Sequence, residues 1–133
     1  HCHGWMANLL PLYLKTNYAD DPYFANSKVV CSIYDEGYKG SLNKRMSEKV
    51  ALDGISEDHA NTIKKATFDN MNAIGIEHSD AIIVGSDELN EATMDKIKSA
   101  GVPVLDFPGN DGYLADINAF YDEVLGVESE ATT

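Results

Sequence analysis

Two stretches of this sequence, KVVCSIY at 28–34 and AIIVG at 81–85, are almost continuously apolar and rich in β-branched residues. A strand with one face in water alternates apolar and polar residues. A strand apolar at every position needs both faces covered, and a parallel sheet with helices on each side provides that. The text between and after the two runs carries helical spacing, so the pattern alternates strand and helix and predicts a three-layer α/β/α fold with a mainly parallel sheet.

The remaining elements follow from caps and periodicity. Met6, Leu9, Leu10, Tyr13 and Leu14 predict one face of a helix over 6–14. The segment 16–27, with Pro22, reads as a loop. A short helix over 43–52 would bury Leu42, Met46 and Val50 and stop at Gly54. The longest helix is expected over 56–77, capped by Ser56 or Asp58, with Ile63, Thr67, Asn70, Met71 and Ile74 on one face. Ser86 or Asp87 is expected to cap the next helix, which would bury Leu89, Ala92, Met94, Ile97 and Ala100 and end at Gly101. A third strand is expected at 102–107, where Pro103 calls for an edge strand or a place in the strand's first residues. PGND turns the chain into a last helix over 113–125, with Leu114, Ile117, Tyr121, Val124 and Leu125 inward. His1-Cys2-His3 reads as the end of a strand. Residues 1–126 form one domain, and 127–133 are expected to be a disordered tail.

Composition narrows the partners. The formal charge is −12, with 22 acidic against 10 basic residues spread along the chain. Such a surface repels phosphate backbones and anionic membranes, so neither nucleic acid nor membrane is an expected partner. The small basic cluster of Lys39, Lys44, Arg45 and Lys49 reads as a solvated helix face. No apolar run approaches the roughly 20 residues of a membrane-spanning helix. Two cysteines make no disulfide framework. Cys31, inside VVCSI, reads as a small buried hydrophobe, and reduced thiols point to a cytoplasmic setting. The first residue is histidine, so the sequence is read as a piece of a longer chain with no signal peptide.

Ligands of open α/β sheets bind outside the carboxyl ends of the strands. Three chemically rich segments fall there: His1 to Trp5, Tyr34 to Tyr38, and Gly85-Ser86-Asp87. His1 and His3 with Asp35 and Glu36 would make a weak metal set, and no metal site is assigned. Cys2 and His3 should point to opposite faces and not meet. VGSDE is no nucleophile elbow, and neither a dinucleotide-binding glycine motif nor a P-loop is present.

The same segments carry a family resemblance. HCHGWMANLLPLYLK resembles the H-x-H-D-W-x-x-x-L-x-P-x-Y-L segment of bacterial glycogen and starch synthases, with His1, His3, Trp5, Leu9 or Leu10, Pro11, Tyr13 and Leu14 in step. SIYDEGYKG is similar to their V-H-N-x-x-Y-Q-G, with Tyr38 and Gly40 in register. NMNAIGIEHSDAIIVGS matches N-x-x-K-x-G-I-x-x-A-D-x-I-T-x-V-S at Asn70, Gly75, Ile76, Asp80, Ile82 and Ser86. The chain departs at Gly4, Tyr34 and Ala73, where that family has aspartate, histidine and lysine. GSLNKRMSEKVALDGI, with Arg45 and Glu48, also resembles short single-domain members.

The resemblance implies a Rossmann-like domain, part of the amino-terminal domain of a two-domain (GT-B-type) glucosyltransferase. It implies glucosyl transfer from ADP-glucose or UDP-glucose to α-1,4-glucan, with the sugar nucleotide as substrate and no separate cofactor. His3, Trp5, Tyr34, Asp35 and Tyr38 would bind substrate, and no catalytic residue is assigned. The segment that approaches the sugar nucleotide in that family has no counterpart here, so the chain alone is expected to be inactive. A non-catalytic glucan- or partner-binding module is the alternative, and an exposed sheet edge would let a second copy pair.

Overall fold

The computed structural model describes residues 1–52 and 54–127. Four strands form one parallel sheet in the order β1-β2-β3-β4: β1 Cys2–His3, β2 Val30–Ile33, β3 Ala81–Val84 and β4 Val104–Leu105. The two central strands are buried at every position, as their continuous apolar runs require. Both edge strands are two residues long, and β4 pairs only through Ile82 with Val104 and Ile83 with Leu105. Pro103 stands immediately before that short edge, as the sequence predicts.

Alternate residues of the sheet meet different helices. Cys2, Cys31, Ile33, Ile82 and Val84 share one core with Ile76 at the end of α4 (Phe68–Glu77) and Ile97 of α5 (Glu91–Ser99). Val30, Ala81 and Ile83 pack on the opposite face against Phe120 of α6 (Tyr113–Leu125). This is the expected α/β/α layering. A further core outside the sheet joins Leu12 of α1 (Leu9–Lys15), Val50 of α2 (Met46–Val50), Ile63 of α3 (Glu57–Lys64) and Met71 and Ile74 of α4.

Several local expectations are corrected. The long helix over 56–77 is two helices. Ser56 caps α3 by accepting from the His59 amide, and Thr67 opens α4 by accepting from Asn70. The Ala66 carbonyl at the break accepts from the Leu42 amide at 3.0 Å and the Tyr38 hydroxyl at 2.7 Å, so a distant loop supplies what the interrupted helix loses. Neither Ser86 nor Asp87 caps α5. Asn90 does, while the Ser86 hydroxyl accepts from the Asp35 amide at 3.1 Å.

The first helical segment begins as a 3-10 turn at Trp5–Ala7 before α1, and this change of winding rotates the apolar face. Pro11 and Leu12 become its buried residues, whereas Met6 and Leu10 are exposed. In α5 the buried residues are Thr93 and Ile97, with Ala92 outside. In α6 Phe120 is buried, while Leu114 and Leu125 face out. Gly101 follows α5 at φ 70°, the left-handed conformation expected just past a helix end. Lys39, Lys44, Arg45 and Lys49 are exposed, and Arg45 pairs with Glu48 at 2.7 Å. Among the described residues, no helix is long and apolar enough to cross a membrane. The predicted tail lies outside the described residues from 128 onward.

Candidate functional site: a cleft at the carboxyl ends of the strands

All four strands run the same way, so the residues that follow them gather at one end of the sheet. His3 ends β1, Tyr34 follows β2, Gly85 follows β3 and Phe107 lies just beyond β4. Together with the Pro108–Asn110 turn and the first turns of α6 they line a cleft of about 220 Å³. Cys2 and His3 point to opposite faces, as alternation demands: Cys2 enters the core, and His3 is exposed at the cleft.

A chain of polar contacts runs along this rim. His3 Nδ1 and the Tyr34 hydroxyl share a hydrogen bond of 2.9 Å. The His1 and His3 rings stack with centroids 3.9 Å apart. His1 Nε2 shares a 2.7 Å hydrogen bond with the Ser32 hydroxyl, and its Nδ1 bonds to the Tyr121 hydroxyl. Three of the four ring nitrogens are therefore engaged by hydroxyls, which leaves little for the His1, His3, Asp35 and Glu36 metal set considered from sequence. Burial, and then the nearby Tyr34 phenol, push the Tyr121 hydroxyl above its ordinary pKa.

Tyr34 owes its seat to Gly85. Gly4 is constrained by its backbone instead: it sits at φ 72° and ψ 172°, a region open essentially to glycine alone, and a Cβ there would make only ordinary contact with the Tyr34 ring at 3.9 Å. At Gly85 an added Cβ would come within 2.5 Å of Tyr34 Cε1. Gly85→Ala should therefore push the Tyr34 ring off its seat and break its bond to His3, at a cost of about 1–2 kcal/mol. Urea unfolding of a double-mutant cycle checks this: Gly85→Ala should cost little further once Tyr34→Ala has removed the ring. Equal costs in both backgrounds would contradict the packing assigned here.

The five residues singled out from sequence divide into groups. His3 and Tyr34 meet in the cleft. Trp5 and Tyr38 do not line it. They form a neighbouring aromatic group with ring centroids 4.6 Å apart, and Tyr38 also contacts Phe68. The Tyr38 hydroxyl is committed to Ala66 O, and burial raises its pKa. Asp35 is exposed, and its backbone amide is tied to Ser86. Sequence reasoning missed Ser32, Tyr121, Phe107 and Tyr113. Their signal was weak, since Ser32 reads as a break in an apolar run and the others lie at least 70 residues further along.

The cleft is neutral and mostly apolar. One imidazole (His3), the hydroxyls of Ser32, Tyr34 and Tyr113 and the Asn110 amide line it among aliphatic and aromatic side chains. Its described lining holds neither lysine nor arginine and no carboxylate. Such a surface suits hydroxylated, uncharged ligands better than phosphates.

A parallel sheet bearing this H-x-H strand end places the chain in a known class. It belongs to the starch synthase catalytic domain family, whose model matches residues 1–102. Among curated relatives it is 34% identical over 88 residues to a glycogen synthase of Chlorobium limicola, covering 65% of this chain and 17% of that protein. It is 31% identical over 118 residues to a glycogen synthase of Chlorobium luteolum, covering 88% of this chain and 23% of the relative. A glycogen synthase of Thermotoga petrophila is 48% identical over 45 residues, 34% of this chain and 9% of that protein. The chain thus spans about a fifth of the length of the Chlorobium relatives. No solved structure matches it significantly.

Proposed function

We propose that this chain is the glucan-facing piece of a glucosyltransferase that extends α-1,4-glucan from ADP-glucose or UDP-glucose. The observation that carries this is the His3–Tyr34 pair at the carboxyl ends of adjacent strands, in a cleft with hydroxyl partners and no cation. Retaining glucosyl transfer needs positive charge at the departing diphosphate and stabilisation of an oxocarbenium-like centre. The described cleft lining has no lysine or arginine to meet the diphosphate and no carboxylate to face the cationic centre, so it supplies neither. The donor's diphosphate is therefore held by segments outside this chain, and the chain alone does not turn over. His3 and Tyr34 meet the sugar, with Asp35 beside them and Trp5 and Tyr38 as an aromatic surface for the glucan. The thiols Cys2 and Cys31 are unpaired, which fits a reducing, cytoplasmic setting.

Calorimetric titration tests the reading. Maltoheptaose should bind the chain, and Tyr34→Ala should weaken that binding at least tenfold. ADP-glucose or UDP-glucose should bind only a longer polypeptide that contains the chain. Glucosyl transfer by the chain alone, or oligosaccharide binding indifferent to Tyr34, would reject the proposal.

A second reading has its own support. Gly4 and Tyr34 stand where the resemblance expects aspartate and histidine, and the cleft keeps aromatic and hydroxyl groups. A glucan-binding module that has lost transfer would show oligosaccharide binding by the longer polypeptide with no response to either sugar nucleotide.

A further inference from the structure

At the far end of the strands from the cleft, α4 stops just before β3 begins. There His78, the residue closing α4, faces His59 of α3. Their Nε2 atoms are 3.1 Å apart and their rings stand at 76°. The His78 Nδ1 lies 2.9 Å from the Ile74 carbonyl. A carbonyl can only accept, so Nδ1 carries the proton, and the His78 Nε2 presents a lone pair towards His59. His59 Nδ1 is buried with no partner among the described residues, so nothing on that side fixes the tautomer of His59. Its state is set at the shared Nε2 edge. Glu77 supplies a carboxylate at the same place, with one ligand atom from each of the three residues within 4.8 Å of the others.

We propose that His59, Glu77 and His78 form a binding site for a divalent cation of the zinc class, which clamps α3 to α4. Two imidazole nitrogens bound to one tetrahedral zinc ion at ordinary bond lengths lie about 3.3 Å apart, close to the separation found here. The bond from His78 Nδ1 to a backbone carbonyl is the outer contact that orients a ligating imidazole. Two imidazoles and one carboxylate favour zinc or its borderline neighbours over calcium or magnesium, which prefer oxygen. The three ligands leave a fourth position for water or another group. The two helices it would join are separated by the break at 65–67, and a cation there would fix their angle.

Zinc chloride titrated into the full chain at pH 7.5 tests this, followed by histidine nitrogen NMR and by calorimetry. One equivalent should shift the Nε2 signals of His59 and His78 together, while His78 Nδ1 stays protonated. His78→Ala should lower affinity at least a hundredfold. Glu77 is exposed, so Glu77→Gln should fold normally, and it should lower affinity about tenfold. Unmoved His59 and His78 signals under zinc excess would mean that the pair merely shares a proton, and would overturn the proposal. So would binding that survives both substitutions and vanishes with His3→Ala, which would assign the zinc to the two histidines at the start of the chain. Unchanged affinity in Glu77→Gln would equally defeat the three-ligand site.

Discussion

Asn8→Ala is expected to destabilise the fold by about 3 kcal/mol, a large share of the roughly 5–15 kcal/mol that holds a domain of this size together. Asn8 is fully buried between the 3-10 turn and α1, and its amide joins three elements. Its Nδ2 donates to Asn72 Oδ1 of α4 at 2.8 Å, and its Oδ1 accepts from the Cys31 thiol of β2 at 3.2 Å. Alanine would leave both partners buried and unmatched, and Asn72 Nδ2 already lacks a partner. It would also leave a void, because Gly75 has been drawn so close that a Cβ there would lie 2.7 Å from Asn8 Cγ. Urea unfolding measures the loss. A double variant, Asn8→Leu with Asn72→Leu, should recover part of it, since two apolar groups need no partners. A loss below about 1 kcal/mol for Asn8→Ala would show that the site relaxes or admits water.

Alkaline pH should unfold this protein partly through Cys31. Burial, and secondarily the neighbouring Cys2 thiol, push its pKa from 9.0 up to about 12. The folded thiol therefore keeps its proton where the unfolded one loses it. Between these values the unfolded chain binds fewer protons, so stability falls as pH rises. The contribution is fully present below pH 9 and disappears towards pH 12, at about 1.4 kcal/mol per pH unit and roughly 4 kcal/mol across the window. Phenols and amines titrate there as well, so the comparison is with Cys31→Ala, whose stability should decline less steeply above pH 9. Parallel curves would mean that Cys31 ionises without unfolding the chain. The same burial should keep Cys31 unreactive towards alkylating reagents in the native state.

The strands and α6 were legible because their signals are local. Uninterrupted β-branched runs announced β2 and β3, and PGND followed by an amphipathic stretch announced α6. What was misread depended on partners far along the chain. Helical spacing continues through Ile63, Met71 and Ile74, yet the helix breaks where Leu42 and Tyr38 claim the Ala66 carbonyl. Ser86 has the chemistry of a cap, but the Asp35 amide takes its hydroxyl. Within the site, His3 and Tyr34 could be placed by the rule that ligands gather at strand carboxyl ends. Trp5 and Tyr38 shared that address in sequence, but the change of winding at Trp5–Ala7 and the hydroxyl's bond to Ala66 drew them into a separate aromatic group. Tyr121 could not be foreseen, because the fold alone brings it to a histidine 120 positions earlier.

The backbone at Gly4 bears on how such a sequence can change. At φ 72° and ψ 172° a side chain costs on the order of 1–3 kcal/mol. An aspartate introduced here by a single substitution would arrive in a backbone that disfavours it. Restoring the residue that the resemblance expects at position 4 therefore lowers stability unless the turn is reshaped with it, so the two changes are coupled through the backbone and not through the chemistry of the cleft.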